Sequence, residues 1–376
     1  MAISPAGLGA LLAAFEENFA ARGELGASVS VWWEGEEWLD EGRGWRDGGK
    51  GNPWTARTLV PVYSATKGPA SATLMLALER HGLGLEDPVA EVWPRFPVED
   101  ATFGDLLSHQ CGLAALDRPA DLRDHRAVVE AIEMQRPAWR PGEAHGYHPR
   151  TFGALVDEPA RRLTGATLGD YWQREIAGPA GIEFWIGLPA SETGRVATLY
   201  PGRPADAGAA NDFYREFSRP GSLTQRAFSS PGGLRSVREM NEPAAWAAGF
   251  PALGGIGTAS GLAKFYQMLL GHVPGPLSRA AREALAARRV SGDDLVLRQP
   301  TSFAAGFQLD PLDDSGTKRR ELYGPSAPAF GHPGAGGSHA FGDPETGISF
   351  AYVMNQMELS VLPGLRCTRL IEALFP

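Results

Sequence analysis

The chain has 376 residues, 43% of them hydrophobic, enough to bury a substantial core as one large or two interleaved domains. Its formal net charge of −9 and its lack of a basic stretch argue against a nucleic-acid partner or an anionic membrane surface. There is no apolar run of the roughly eighteen residues a membrane span needs, and Cys111 and Cys367 are too few for a disulfide framework, which points to a reducing cytoplasm.

Residues 1–21 carry Leu8, Leu11, Leu12, Phe15 and Phe19 at helical spacing, with Glu16 and Glu17 and no basic start. They read as an amphipathic first helix and not as a signal peptide. Residues 27–33 and 36–45 predict a hairpin turning at Glu34-Gly35. An apolar, Pro-containing stretch then leads to Ser64, where a helix is predicted to begin and to run through Arg80, stopping at His81-Gly82. Thr102 with Asp105, ahead of Leu106-Leu107, is a capping arrangement with Asp in the usual place of Glu. Pro141-Gly142 marks a turn, so Tyr147 falls in a loop running into a helix over residues 151–163. Up to about residue 285 the signals are mostly helical, broken by Pro and Gly and by a Gly/Pro/Ala-rich loop over residues 201–210. Strand signals return at 303–310, 340–343 and 347–355, and a final helix covers about 359–374.

Strands at both ends with helices between predict an α/β (α+β) fold. One antiparallel sheet, built from N- and C-terminal strands and flanked by helices, carries an inserted, mainly helical subdomain. The whole chain, 1–376, is then a single catalytic domain, with a sheet part over about 1–70 and 290–376 and a helical part over about 71–289.

Ser64-Ala-Thr-Lys67 is the segment that carries chemistry. On a helix its hydroxyl and amine share one face, one turn apart, near the positive end of the helix dipole. A serine hydroxyl needs a neighbouring base, and a lysine serves as one when its pKa is pulled down. The chain has only four lysines among its 35 Lys and Arg, and arginine cannot substitute as a base. A second copy, Ser315-Gly-Thr-Lys318, sits in a charged run without apolar periodicity and reads as a solvated loop. Two further segments stand out: Tyr147-His-Pro149, and the glycine-rich His332-Pro-Gly334-Ala335-Gly336-Gly337, where backbone can approach a ligand closely.

These three ordered motifs resemble those of the serine β-lactamase-like hydrolases: class C β-lactamases, D-alanyl-D-alanine peptidases and the carboxylesterases (family VIII type) that share their fold. The resemblance spans residues 10–375 and implies roles for individual residues. Ser64 matches the nucleophile of Ser-x-x-Lys, with Lys67 as its partner. Tyr147 matches the tyrosine of Tyr-x-Asn. His332 and Gly334 stand at the substrate-binding Lys-Thr-Gly motif, in a His-x-Gly variant. The backbone N–H groups of Ser64 and Ala335 would form the oxyanion hole. Two departures matter: Pro149 replaces the asparagine, and His332 replaces a lysine that attracts substrate carboxylates. Both weaken the grip on anionic amides and favour neutral esters of short-to-medium acyl chains. The resemblance therefore implies a carboxylesterase acting on a small-molecule ester through a Ser64 acyl-enzyme, with the coupled Lys67/Tyr147 pair as base. A β-lactamase, peptidase, amidase or acyltransferase with the same acyl-enzyme is the alternative, followed by a non-catalytic binding homologue. No cofactor, metal, nucleic-acid or membrane partner is implied, and the oligomeric state is not legible.

Other residues have plainer readings. Gly336-Gly-Ser338-His-Ala340 looks like a nucleophile elbow, but strand signals follow it where a helix is required. His145 and His148 have no neighbouring Glu, Asp or Cys to complete a metal set. Cys111 reads as buried filler, and the tryptophans, Trp139 among them, as packing residues, some of which could line an acyl pocket.

Overall fold

The computed structural model describes residues 5–202 and 212–375; the first four residues, and all but the first two of the Gly/Pro/Ala-rich loop at 201–210, lie outside them. Its main sheet has eight antiparallel strands in the order β2-β1-β11-β10-β9-β8-β7-β6. In chain order these are β1 (Gly26–Trp33), β2 (Glu36–Gly44), β6 (Val290–Asp293), β7 (Pro300–Phe303), β8 (Gln308–Leu309), β9 (Phe330–Pro333), β10 (His339–Asp343) and β11 (Ile348–Met354). The two chain ends meet in the β1–β11 pair, which runs in register from Ala27 opposite Met354 to Trp33 opposite Ile348. Both halves of the predicted terminal sheet are therefore present and joined.

Strand alternation explains why β11 is buried along its whole length. Ile348, Phe350, Tyr352 and Met354 join Leu11 and Phe15 of the first helix (Pro5–Ala21) and Leu370 and Ile371 of the last (Leu365–Leu374). Ala351 and Val353, on the other face, join the core that includes the helix Ala259–Leu270, and Ser349 Oγ donates to the Ala263 carbonyl at 2.7 Å. Each large side chain buried this way contributes roughly 1.5–3 kcal/mol. The edge strand β2 instead shows Glu36, Glu37, Asp40 and Glu41, charges that discourage edge-to-edge pairing.

A second, three-stranded sheet links β3 (Val60–Pro61), β5 (Gly255–Gly257) and β4 (Phe184–Ile186). Its strands are too short to show periodicity, and the sequence gives no sign of them. Two other expectations are corrected. The continuous strand predicted over 303–310 is broken: Phe303 ends β7, Gln308–Leu309 is β8, and residues 304–307 between them turn at Gly306 (φ +84°), where a Cβ would strike Ser71 Oγ. The last helix begins at Leu365 and not at 359, since Pro363-Gly364 interrupts it. The Thr102–Asp105 capping box forms as expected. Among the described residues, no helix is long and apolar enough to cross a membrane.

Candidate active site

Strand β3 delivers the chain to Tyr63, whose backbone is strained (φ 48°, ψ −129°). A non-glycine residue held there costs on the order of 1–3 kcal/mol and needs surrounding structure to impose it. The restraint is visible: Val62 N–H donates to Gly255 O at 2.9 Å, and the Thr66 hydroxyl accepts from Gly255 N–H at 2.8 Å while donating to Tyr63 O. Ser64–Thr66 then forms one 3₁₀ turn, and the α-helix proper runs Lys67–Arg80. The helix expected to start at Ser64 thus starts tighter. In a 3₁₀ turn side chains three apart eclipse, which sets the Lys67 amine over the Ser64 hydroxyl.

Lys67 is fully buried, with Nζ 3.3 Å from Ser64 Oγ, 3.1 Å from Pro149 O and 2.8 Å from Ala252 O. Among the described residues, no carboxylate contacts it. Burial, and then the Arg150 guanidinium, hold its pKa well below the usual lysine value. A neutral amine has two N–H donors and one lone pair: the two carbonyls take the donors and the lone pair is left facing the Ser64 hydroxyl. The proline at 149 keeps this arrangement, because Lys67 uses its backbone carbonyl and no side chain is needed.

Tyr147 is buried beside the pair, its ring centroid 4.9 Å from Lys67 Nζ. Burial drives its phenol above the ordinary tyrosine value, a hydrogen bond with the Ser64 side chain opposes this, and Asp294 adds to it. His332 sits on β9 with its ring 5.9 Å from that of Tyr147. Its Nδ1–H donates to Pro333 O at 2.8 Å, while Nε2 is buried with no partner among the described residues. Burial holds its pKa well below the usual histidine value, so no cation stands where the resemblance places lysine. Just beyond, a Cβ on Gly334 would lie 2.0 Å from Val62 O, so only glycine lets this strand end abut the segment leading to Ser64. Gly334 N–H to Ser338 O (2.6 Å) and Gly337 N–H to Gly334 O (3.2 Å) close a turn around Ala335. Among the described residues, neither the Ser64 nor the Ala335 N–H is spent on a carbonyl.

Several residues here carried no sequence signal. Arg150 donates to Pro231 O at 2.7 Å and to Gly233 O, tying that loop to the Tyr147 segment, and burial lowers its pKa to about 10. Phe303 stacks on Tyr147 (6.2 Å, 5°), and the half-buried Phe228 lies 6.5 Å from it. Trp139 belongs to the same apolar cluster. His109 accepts from His148 N–H at 3.2 Å; His148 donates through Nδ1 to Gly146 O at 2.7 Å and accepts from Leu113 N–H at 3.0 Å. The rejected candidates also have definite places. Ser315 is exposed in a turn with Asp313, but Lys318, expected in solvent, is buried against Asp310 at 2.8 Å. Ser338 precedes a strand and not a helix.

The histidine pair has a measurable consequence. Burial keeps His148 neutral, with a pKa near 3, and His109 well below its usual value. An unfolded histidine takes up its proton near pH 6.5, so between about 6.5 and 3 the unfolded chain binds more protons. This stabilisation is complete above that window and falls away as pH drops through it, by roughly 1.4 kcal/mol per unit per histidine. Urea midpoints should hold from pH 7.5 to about pH 6.5 and then decline towards pH 5; a series flat over the lower range would contradict a neutral histidine pair.

Residues 12–368 match the family model described as Beta-lactamase. A curated relative from Mycobacterium tuberculosis, Esterase/beta-lactamase LipL, is 31% identical over 357 residues, 92% of this chain and 80% of its own. A solved structure titled as a family VIII carboxylesterase is similar with a TM-score of 0.86 and 31% identity, over 100% of this chain and 98% of its own. A penicillin-binding protein homolog from Caulobacter crescentus gives a TM-score of 0.85 at 34% identity, over 99% and 98% of the two chains.

Proposed function

Since the chain belongs to the beta-lactamase family and is a serine hydrolase of that fold, we propose that it cleaves carboxylic esters of short-to-medium acyl chains through an acyl-enzyme on Ser64. The observation that carries this reading is the buried Lys67 amine, which spends two donors on carbonyls and points at Ser64 Oγ at 3.3 Å. Ser64 Oγ attacks the ester carbonyl as Lys67 takes its proton. Tyr147, a protonated phenol on the same hydroxyl, relays a proton to the departing alkoxide. Lys67 as base and Tyr147 as relay is the division favoured by their opposite pKa shifts. Water, activated by the same groups, then releases the acid. The Ser64 and Ala335 N–H groups would hold the oxyanion, at roughly 3 kcal/mol each.

The choice of ester over lactam or peptide rests on a neutral His332, the absence of an asparagine amide at Pro149, and the aromatic wall of Phe303 and Phe228. The name of the M. tuberculosis relative keeps a β-lactamase as the second reading. A small-molecule ester is the proposed partner, and two buried free thiols favour a reducing cytoplasm as the location.

A serine-directed phosphonate should add one adduct, mapping to the peptide that bears Ser64. Labelling at Ser338 or Ser315 would move the site. In parallel assays p-nitrophenyl butyrate should turn over far faster than nitrocefin; efficient nitrocefin cleavage with negligible ester cleavage would reverse the ranking.

A further inference from the structure

Asp294 is a fully buried carboxylate on the turn between β6 and β7, outside every motif named above. Its Oδ1 accepts from Val296 N–H and Leu297 N–H, both at 2.8 Å, which by itself is an ordinary turn cap. The rest of the group does something else. Tyr147 N–H, far away in sequence, is shared between Oδ1 and Oδ2 at 3.1 Å each, and the Thr301 hydroxyl donates to Oδ2 at 3.2 Å. Thr301 in turn accepts from His145 Nε2–H at 2.8 Å. Leu295 N–H donates to His145 O at 3.1 Å, completing a backbone bridge between the two segments.

From these contacts we infer that Asp294 is a positioning residue for Tyr147: its carboxylate pins the tyrosine main chain, so that two side-chain torsions and the stacked Phe303 place the phenol on Ser64. The inference rests on the reading of Tyr147 as part of the reacting set. Every group facing the carboxylate is a donor: three backbone N–H groups and one O–H. An asparagine would keep Oδ1 for the cap, but its NH₂ in place of Oδ2 would remove one of the two acceptors that share Tyr147 N–H and would force the Thr301 hydroxyl, already accepting from His145, to accept again; a carboxylate accepts from all four without that rearrangement. A buried carboxylate is costly, and four donors offset that cost where, among the described residues, no cation lies within bonding distance. The plain cap explains two of the donors. It does not explain why the carboxylate reaches the catalytic loop.

The test is a double-mutant cycle on p-nitrophenyl butyrate hydrolysis. Asp294→Asn should lower kcat by about 10²-fold with KM changed less than about threefold, because the phenol is displaced while the substrate pocket stays. In a Tyr147→Phe background the same substitution should change kcat by less than about threefold. Wild-type kcat in Asp294→Asn, or an equal loss in both backgrounds, would overturn the inference, the latter showing a general structural role. If Asp294→Asn does not fold, Thr301→Val removes one donor and keeps the shape. It should lower kcat about three- to tenfold in the wild-type background and leave Tyr147→Phe unchanged; equal effects would again overturn the proposal. A Tyr147→Phe variant as active as wild type would remove the premise for Tyr147 itself, a result visible before the cycle is closed.

Discussion

Lys67→Arg should abolish ester hydrolysis, lowering kcat/KM by about 10³-fold or more. General-base assistance is worth roughly 10²–10⁴ in rate, and arginine stays protonated, so it has no capacity to accept a proton. The site adds a second reason. Lys67 fits between the Ala252 and Pro149 carbonyls as a compact amine, whereas a planar guanidinium with five N–H donors cannot be satisfied there. Wild-type-like turnover in a folded Lys67→Arg protein would refute the base assignment. The pH profile gives an independent check. The amine must be neutral to act, so kcat/KM should rise with pH through the Lys67 pKa and then level off. Burial and Arg150 lower that pKa, so the plateau should arrive well below the usual lysine value of about 10.4. A rate still climbing at pH 10 would mean an unperturbed lysine, and the proposed chemistry would fall with it.

Gly334→Ala should be nearly as damaging, with a loss on the order of 10²–10³-fold in kcat, the scale of a lost oxyanion donor. The added methyl would lie 2.0 Å from Val62 O, a backbone atom that cannot rotate away. Val62 is itself held by Gly255 at 2.9 Å and continues into the strained Tyr63, so relief must move either Ser64 or the Ala335 turn. Gly194→Ala, with open space around its Cβ, is the matched control and should behave as wild type. Full activity in Gly334→Ala would show that this turn does not shape the oxyanion site.

Local physics explains which elements were legible. The first hairpin, the capped helix at Phe103–Leu107 and the helix after Ser64 each announce themselves within a few residues, through alternation, a capping pair or a Gly stop. Strand β9, which carries His332, and the short sheet of β3, β4 and β5 do not. They are two to four residues long, all but β4 contain Gly or Pro, and they exist because neighbours pair with them.

The same division runs through the site. From sequence alone came a serine and a lysine three apart at a helix start, a tyrosine in a loop, and a glycine-rich approach, because these are local relations between neighbouring residues. Tertiary structure alone decided that Lys67 is buried without a carboxylate, that Pro149 serves through its carbonyl, that His109, His148 and His332 are neutral, and that Asp294 and Arg150 hold the surrounding loops. Protonation and positioning depend on which distant segments exclude water and which donors they bring, and no spacing along the chain encodes that.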